Sequence, residues 1–140
     1  MTTWSEIKRH RVVDTGSATT VAKVDGVVVD PRAGTVVAFT AGKGRVVHWP
    51  DVAGIGDAIT VASADAVRPA EGRAAGLLGG DHELLKKRVL TDGGDEIGRV
   101  SDLAFDAATG RVTELRTKDA TIDGGRLIGC GPYAVIVRTA

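Results

Sequence analysis

The sequence predicts an all-β protein made of two similar halves, and three observations support this prediction. Glycine is abundant, with 19 residues in 140, whereas aromatic residues make up only 4%. This composition is typical of short strands joined by tight turns. Short β-branched runs end in turn-forming residues, and the first half of the chain recurs in the second at a nearly constant spacing.

The repeat is clearest where residues 21–36 align with residues 97–112 without a gap. The matching turn residues, Asp30 and Asp106, lie 76 positions apart. Two shorter matches flank this core, 7–12 with 84–89 and 54–61 with 129–137 after one insertion. We therefore expect both halves to contain the same series of elements.

The elements of the first half follow from local patterns. A β-branched strand at 21–29 ends in a turn, in which Asp30 caps its own backbone and Gly34 adopts positive φ. The later predicted elements are a partner strand at 35–40, a strand at 45–49, a helical turn at 50–52 and a last strand at 58–61. In the second half Asp106 and Gly110 occupy the same turn positions.

This organisation predicts two domains, 1–62 and 81–140, joined by a linker at 63–80 that starts with a helical turn. The linker is indicated by one proline and four glycines within that stretch. Each domain is marginal in size for independent folding. We therefore expect the two to pack against each other.

Composition excludes several classes of protein. Lys+Arg 18 and Asp+Glu 18 give zero net charge, so no global field attracts nucleic acid or an acidic membrane. No apolar run approaches the about 18 residues that a membrane span requires. The N-terminus carries Glu6 and lacks an apolar segment typical of secretion signals, so we expect a cytoplasmic protein without a membrane span.

Catalytic, metal and cofactor sites are not predicted. Cys130 is the only cysteine, which excludes an internal disulfide and a zinc cage, and we interpret it as a small buried hydrophobe. The histidines are far apart in sequence, and the carboxylates of 92–106 are best explained as turn residues and their solvated flanks. No nucleophile elbow or phosphate loop is present.

Two basic clusters are the most suggestive chemical feature. They occupy matching places in the two halves and contain Lys8, Arg9 and Arg11 in the first and Lys86, Lys87 and Arg88 in the second. Related by a pseudo-twofold, they would form two equivalent patches able to bind phosphates or an acidic protein surface. The alternative is that they are merely solvated strand ends.

The two tryptophans are the other candidates for binding. Trp4 precedes an isoleucine-containing turn and is interpreted as a packing residue. Trp49 lies beside His48 and Pro50 at the end of a strand. An exposed tryptophan at such a turn is the kind of anchor that protein interfaces use, so His48 and Trp49 join the candidate partner-binding residues.

The second half resembles PRC-barrel proteins, known from the photosynthetic reaction centre H subunit and from RimM-type ribosome maturation factors. The similarity is carried by the basic-Val strand at 85–89, the Gly-Arg-Val-Ser-Asp strand at 98–106 and the hairpin to 112. The first half departs from the pattern at Ala22 and Gly26. The resemblance implies two tandem six-stranded barrels, related by internal duplication, that dock other proteins rather than catalyse a reaction.

The favoured function is therefore a non-catalytic protein-interaction or assembly module with an unknown protein partner. A homodimer through exposed strand edges is one form of it. An alternative is an RNA- or ribosome-associated factor that uses the basic clusters, although the chain has few aromatics for stacking bases. A small hydrolase is a distant third.

Overall fold

The computed structural model describes residues 1–78 and 83–139 and consists mainly of strands, which confirms the all-β prediction. The strands of the first half are β1 (Thr2–Thr3), β2 (Arg11–Asp14), β3 (Thr19–Lys23), β4 (Gly26–Asp30), β5 (Thr35–Thr40), β6 (Arg45–His48), β7 (Val52–Ile55), β8 (Ile59–Val61) and β9 (Val67–Pro69). Those of the second half are β10 (Arg88–Thr91), β11 (Glu96–Arg99), β12 (Asp102–Phe105), β13 (Val112–Arg116), β14 (Thr121–Asp123), β15 (Leu127–Cys130) and β16 (Val135–Val137).

The helices are short. The two α-helices are α1 (Trp4–Ile7) and α2 (Gly72–Leu77), and the 3₁₀ turns are Trp49–Asp51, Ala64–Ala66 and Gly124–Arg126. No helix in the described ranges has the length and apolar character needed to cross a membrane. The cytoplasmic location stays a prediction.

Four four-stranded sheets make up the fold, two in each half. Their orders are β3-β2-β8-β7 and β4-β5-β6-β9 in the first half, and β11-β10-β16-β15 and β1-β12-β13-β14 in the second. β2 to β8 and β10 to β16 form equivalent series with equivalent neighbours, including one parallel pair in each half. Each series has seven strands rather than six, because β7 and β15 are additional short strands before the last one.

The equivalence extends to irregularities of the backbone. The register shifts between Val12 and Val13 and, at the matching place, between Val89 and Leu90. The β4/β5 and β12/β13 pairs, and the β7/β8 and β15/β16 pairs, also carry matching shifts. Because bulges bend strands sharply, these shared shifts give both halves the same curvature.

The hairpin turns of the two halves bond to each other. Gly34 and Gly110 adopt φ of 69° and 80°, and each closes its own turn by donating to the carbonyl of the aspartate four residues earlier. Across the halves, Val36 N donates to Gly110 O at 2.7 Å and Val112 N donates to Gly34 O at 2.8 Å. This reciprocal pair of bonds marks a pseudo-twofold relation between the halves, and we call this junction the seam.

One apolar core spans both halves. Phe39 and Phe105 are fully buried, and their ring centroids are 6.0 Å apart. Trp49 completes a three-ring cluster, 6.1 Å from Phe39 and 6.0 Å from Phe105. Because aromatic rings contribute large buried areas, this contact ties the stability of each half to the other.

The predicted linker carries more structure than expected. The helical turn at its start is present as Ala64–Ala66, and β9 and α2 follow within it up to residue 78, while 79–80 lie outside the described residues. α2 covers the outer face of the β4-β5-β6-β9 sheet, where Ala74 packs against Val28, Val37 and Val46. This second apolar face explains why β4 and β5 are hydrophobic at consecutive positions.

The N-terminus belongs to the sheet of the other half. β1 pairs with β12 in antiparallel register, with Thr2 opposite Phe105. Asp102 then holds the start of α1, accepting from Ser5 N at 3.0 Å and from Ser5 Oγ at 2.6 Å. The division into domains 1–62 and 81–140 stays a prediction. The pairing of β1 with β12 and the shared apolar core both cross the boundary between these ranges.

We expect Gly110→Ala to destabilise the protein more than Gly34→Ala. Both substitutions place a Cβ at positive φ, which costs about 1–2 kcal/mol. At Gly110 that Cβ would lie 3.0 Å from the Trp49 ring, whereas at Gly34 nothing lies within 4 Å. The ring must shift, adding about 1–3 kcal/mol. Urea unfolding measures the difference, and equal losses would contradict the seam packing.

We also expect Phe105→Ala to destabilise both halves together, by about 3–5 kcal/mol. Its ring contacts Phe39 and Trp49 of the first half. Tryptophan fluorescence, which reports on Trp49 at the seam, and far-UV circular dichroism, which reports on the strands of both halves, should therefore follow one transition. Separate transitions by the two probes would show that the halves unfold independently.

Candidate functional site

Each of the two basic clusters contains one strained backbone position. Arg9 and Lys86 have φ of 66° and 70°, and their backbone N–H groups donate to the carbonyls of Val24 and Val100 at matching places. A non-glycine residue in this left-handed region costs about 1 kcal/mol or more. Both exposed positions nevertheless carry a cation where glycine or asparagine would be easier.

One cation of each cluster also lies opposite a further cation on the neighbouring strand. Arg11 lies directly opposite Lys23 in the β2/β3 pair, and Arg88 lies directly opposite Arg99 in the β10/β11 pair. Directly opposed residues share one face of a sheet, and like charges there are destabilising. Sequence inspection of the clusters alone missed Lys23 and Arg99, because the pairing depends on the strand register.

Arg88 is held by neighbours from both sides. Its Nη1 lies 3.4 Å from Glu96 Oε1 and donates to the Tyr133 hydroxyl at 3.2 Å. Its guanidinium also lies 4.7 Å from the centre of the Tyr133 ring, in cation–π contact. Tyr133 itself is 67% exposed. This exposed aromatic was absent from the predicted site.

A groove of about 610 Å³ beside Arg99 is lined by three cations, Lys86, Arg99 and Lys118, with the single carboxylate Asp119. Arg99 Nη1 donates to Lys86 O at 3.2 Å, which joins two of the cations. Gly98, at φ of 134°, forms part of the wall beside Thr117, and a Cβ there would come within 3.1 Å of it.

The first cluster meets the second at a smaller pocket. Lys8 and Lys86 line the same cavity of about 200 Å³, together with Asp25 and Glu83. The expected arrangement was two equivalent patches, one on each half. The structure in addition brings the starts of both clusters together, in a pocket of mixed charge lined by Trp4 and Lys8 on one side and by residues 83–86 on the other.

Trp49 is not an exposed anchor. It is half-buried, and its indole fills the seam beside Phe39 and Phe105. His48 is also half-buried; its Nε2 accepts from Glu71 N at 3.1 Å, while its buried Nδ1 has no partner in the described part of the chain. Trp4, by contrast, packs in the core as expected for a packing residue.

Cys130 and Lys87 form a local pair. Cys130 lies half-buried on β15, and the Lys87 Nζ is 3.9 Å from its Sγ. Burial raises the pKa of the Cys130 thiol, and the nearby Lys87 charge opposes this only partly. A raised pKa keeps the sulfur as a thiol near neutral pH, which fits a packing role rather than a nucleophile.

Metal-ligating side chains are not grouped in the structure. Within 1–78 and 83–139, no three of the histidine, cysteine, aspartate or glutamate residues lie close enough together to hold a metal ion. His10 Nε2 instead contacts Gly56 O at 2.9 Å. His82 lies outside the described residues.

Comparison with known proteins places the second half in a family. Residues 79–137 match the family model described as PRC-barrel domain, and the matched segment contains β10 to β16 together with the second basic cluster. No curated protein matches the chain. PRC-barrel domains are in general non-catalytic modules. Residues 79–137 therefore form a PRC-barrel domain.

Proposed function

We propose that this protein is an interaction or assembly module that docks an acidic surface of a partner protein on the basic face of its second half. The basic face comprises Lys86, Arg88, Arg99, Lys118 and Tyr133. One observation carries the proposal: the cross-strand pair of cations occurs in both halves, as Arg11 with Lys23 and as Arg88 with Arg99.

Such a pair is costly for the isolated protein. Like charges directly opposite each other weaken a strand pair by about 0.2–1 kcal/mol. A carboxylate-bearing surface would remove this repulsion and form charge-assisted hydrogen bonds to the guanidinium groups. The protein therefore gives up a little stability to keep a face that an acidic partner completes.

Tyr133 supports docking by a protein rather than by counterions alone. Tyrosine and arginine are enriched among the residues that dominate binding energy at interfaces. Tyr133 combines a largely exposed ring with an arginine stacked against it, so part of its orientation is already set before binding. Preorganisation of this kind lowers the entropic cost of association.

The first half supplies a weaker copy of the face. Its cations Arg11 and Lys23 match Arg88 and Arg99, but Asp57 stands two residues before the last strand, where the second half has Tyr133. We propose that the chain arose by internal duplication of one PRC-barrel unit and that the second copy keeps the principal docking face. Pairing of two chains through their sheet edges is the competing mode.

RNA binding is supported less well by the same surface. Asp119, Glu96, Asp25 and Glu83 lie among the cations, so a polyanion would meet both signs of charge. The sequence also lacks asparagine and glutamine, the side chains that commonly recognise adenine.

We expect Arg99→Glu to weaken partner binding at least tenfold, because it replaces an attraction with a repulsion at the centre of the basic face. The partner is first identified by cross-linking and mass spectrometry from native cells, and its affinity for the purified protein is then measured by calorimetry. Lys43→Glu makes the same charge change in the exposed turn between β5 and β6 and should leave the affinity unchanged.

Three results would contradict the proposal. Equal affinities of the two charge variants would remove the basic face from docking. Loss of the complex on nuclease treatment, with an affinity for RNA that falls log-linearly with salt, would favour the ribosome-associated alternative. A dimer in sedimentation that dissociates on binding the partner would place the sheet edges, rather than this face, at the interface.

A further inference from the structure

A cleft of about 410 Å³ lies at the seam between the two halves, apart from the basic face. Its walls come from the hairpin turn of the first half, the hairpin of the second half and the 3₁₀ turn Gly124–Arg126. Buried Val112 and Leu127 form an apolar base. The pseudo-twofold relation between the halves is broken at this cleft.

The break arises because a tryptophan on one side is a glycine on the other. Trp49 begins the 3₁₀ turn of the first half and lies on Gly110, whose Cβ position is 3.0 Å from the indole. The matching 3₁₀ turn of the second half begins with Gly124. Gly34, the counterpart of Gly110 in the first half, has nothing within 4 Å of its Cβ position. The space filled by an indole in one half is thus empty in the other.

Gly124 cannot simply carry a side chain to fill that space. A Cβ at Gly124 would clash with the carbonyl oxygen of Val112, so the backbone itself packs there. This close approach holds the second-half turn against β13, and it leaves the cleft open to solvent at the seam. The cleft is open because the packing of the backbone at Gly124 excludes a side chain there.

Three arginines surround the open cleft. The lining includes Arg32, Arg111 and Arg138 and no carboxylate. Their counterparts across the pseudo-twofold are the neutral residues Ala108, Thr35 and Ala62. The three arginines therefore line the open cleft at positions that are neutral in the other copy of the repeat.

Two of these guanidinium groups are not used by the fold. Within the described residues, the side chains of Arg32 and Arg111 make no hydrogen bond or ion pair, while Arg138 Nη1 donates to Gly125 O at 3.0 Å. Two carboxylates that are sequence neighbours of lining residues serve other groups. Asp30 caps its own turn and pairs with Arg73 at 3.1 Å, and Asp123 accepts from Gly125 N at 2.7 Å.

We propose that the seam cleft binds a small ligand that joins a flat aromatic ring to a phosphate group, the chemical class of nucleoside phosphates. The ring takes the place that the indole of Trp49 occupies in the other half, on Gly34 and against the apolar base. The phosphate is bound by Arg32, Arg111 and Arg138, because guanidinium groups match phosphate oxygens in a bidentate geometry. This site is separate from the proposed docking face.

The test is a titration of the full-length protein with AMP, with adenosine and with inorganic phosphate, followed by amide chemical shifts in two-dimensional NMR. We expect AMP to shift the amides of Gly34, Thr35 and Gly125 and to bind at least tenfold more tightly than either fragment. Binding of inorganic phosphate as tight as that of AMP would overturn the assignment of the ring. Absence of shifts at these amides with millimolar AMP would overturn the site.

Three variants separate the effect of the arginine charge on AMP binding from the effect of the empty space in the cleft. Arg111→Glu should weaken AMP binding about tenfold or more, since it removes a charge-assisted contact and adds a repulsion. Ala33→Trp should weaken it similarly without a charge change, because it fills the cleft at an exposed position of the turn. Lys43→Glu should have no effect.

Thermal unfolding shows which variants are folded, and Arg32→Glu replaces Arg111→Glu if the latter is not. Unchanged AMP affinity in the folded charge variant would contradict the proposal. Arg99→Glu, which tests the docking face, should bind AMP normally, so that failure of one proposal leaves the other standing.

Discussion

The reciprocal hydrogen bonds at the seam are the constraint on which the rest of the structure depends. Each hairpin turn offers one carbonyl to the other half, from Gly34 and from Gly110, and each following strand donates one N–H in return. These bonds bring the two halves into a single arrangement, in which Phe39, Phe105 and Trp49 form one aromatic cluster. Since each half alone is small for a stable core, the shared rings supply burial that neither could provide by itself.

A symmetric scaffold of this kind permits its two copies to diverge locally. In the first half α2 covers a second apolar face, whereas the matching face of β13 carries Thr113 and Glu114. At the seam, the indole of Trp49 packs on Gly110, whereas the matching position at Gly34 opens into an arginine-lined cleft. In both cases the pairing of β4-β5-β6 and of β12-β13-β14 is retained, while the side chains and the elements packed around these strands differ.

The second half concentrates that surface chemistry because its strands expose one face. Strand β10 alternates between buried and partly exposed positions, which leaves Arg88 beside Tyr133 and opposite Arg99. The left-handed turn at Lys86 then adds a third cation to the same side. Zero net charge for the whole chain thus conceals a local excess of positive charge, maintained by strand register rather than by composition.

The sequence by itself determined the features that depend on near neighbours. Turn chemistry at Asp30 and Gly34, and again at Asp106 and Gly110, identified two hairpins, and the repeat predicted that both halves share one order of strands. These signals are local because capping and positive φ are decided within a few residues. β7 escaped prediction because a strand of four residues between turns has too little periodicity to recognise.

Only the tertiary structure decided which distant residues meet. It assigned β1 to the sheet of the second half and buried part of Trp49 at the seam, although the local sequence around the tryptophan suggested an exposed anchor. It also assembled Arg99, Lys118 and Tyr133 with the second basic cluster, and Arg32 with Arg111 and Arg138. The physical reason is that strand register and packing between halves are set by the whole core, so no window of sequence contains them.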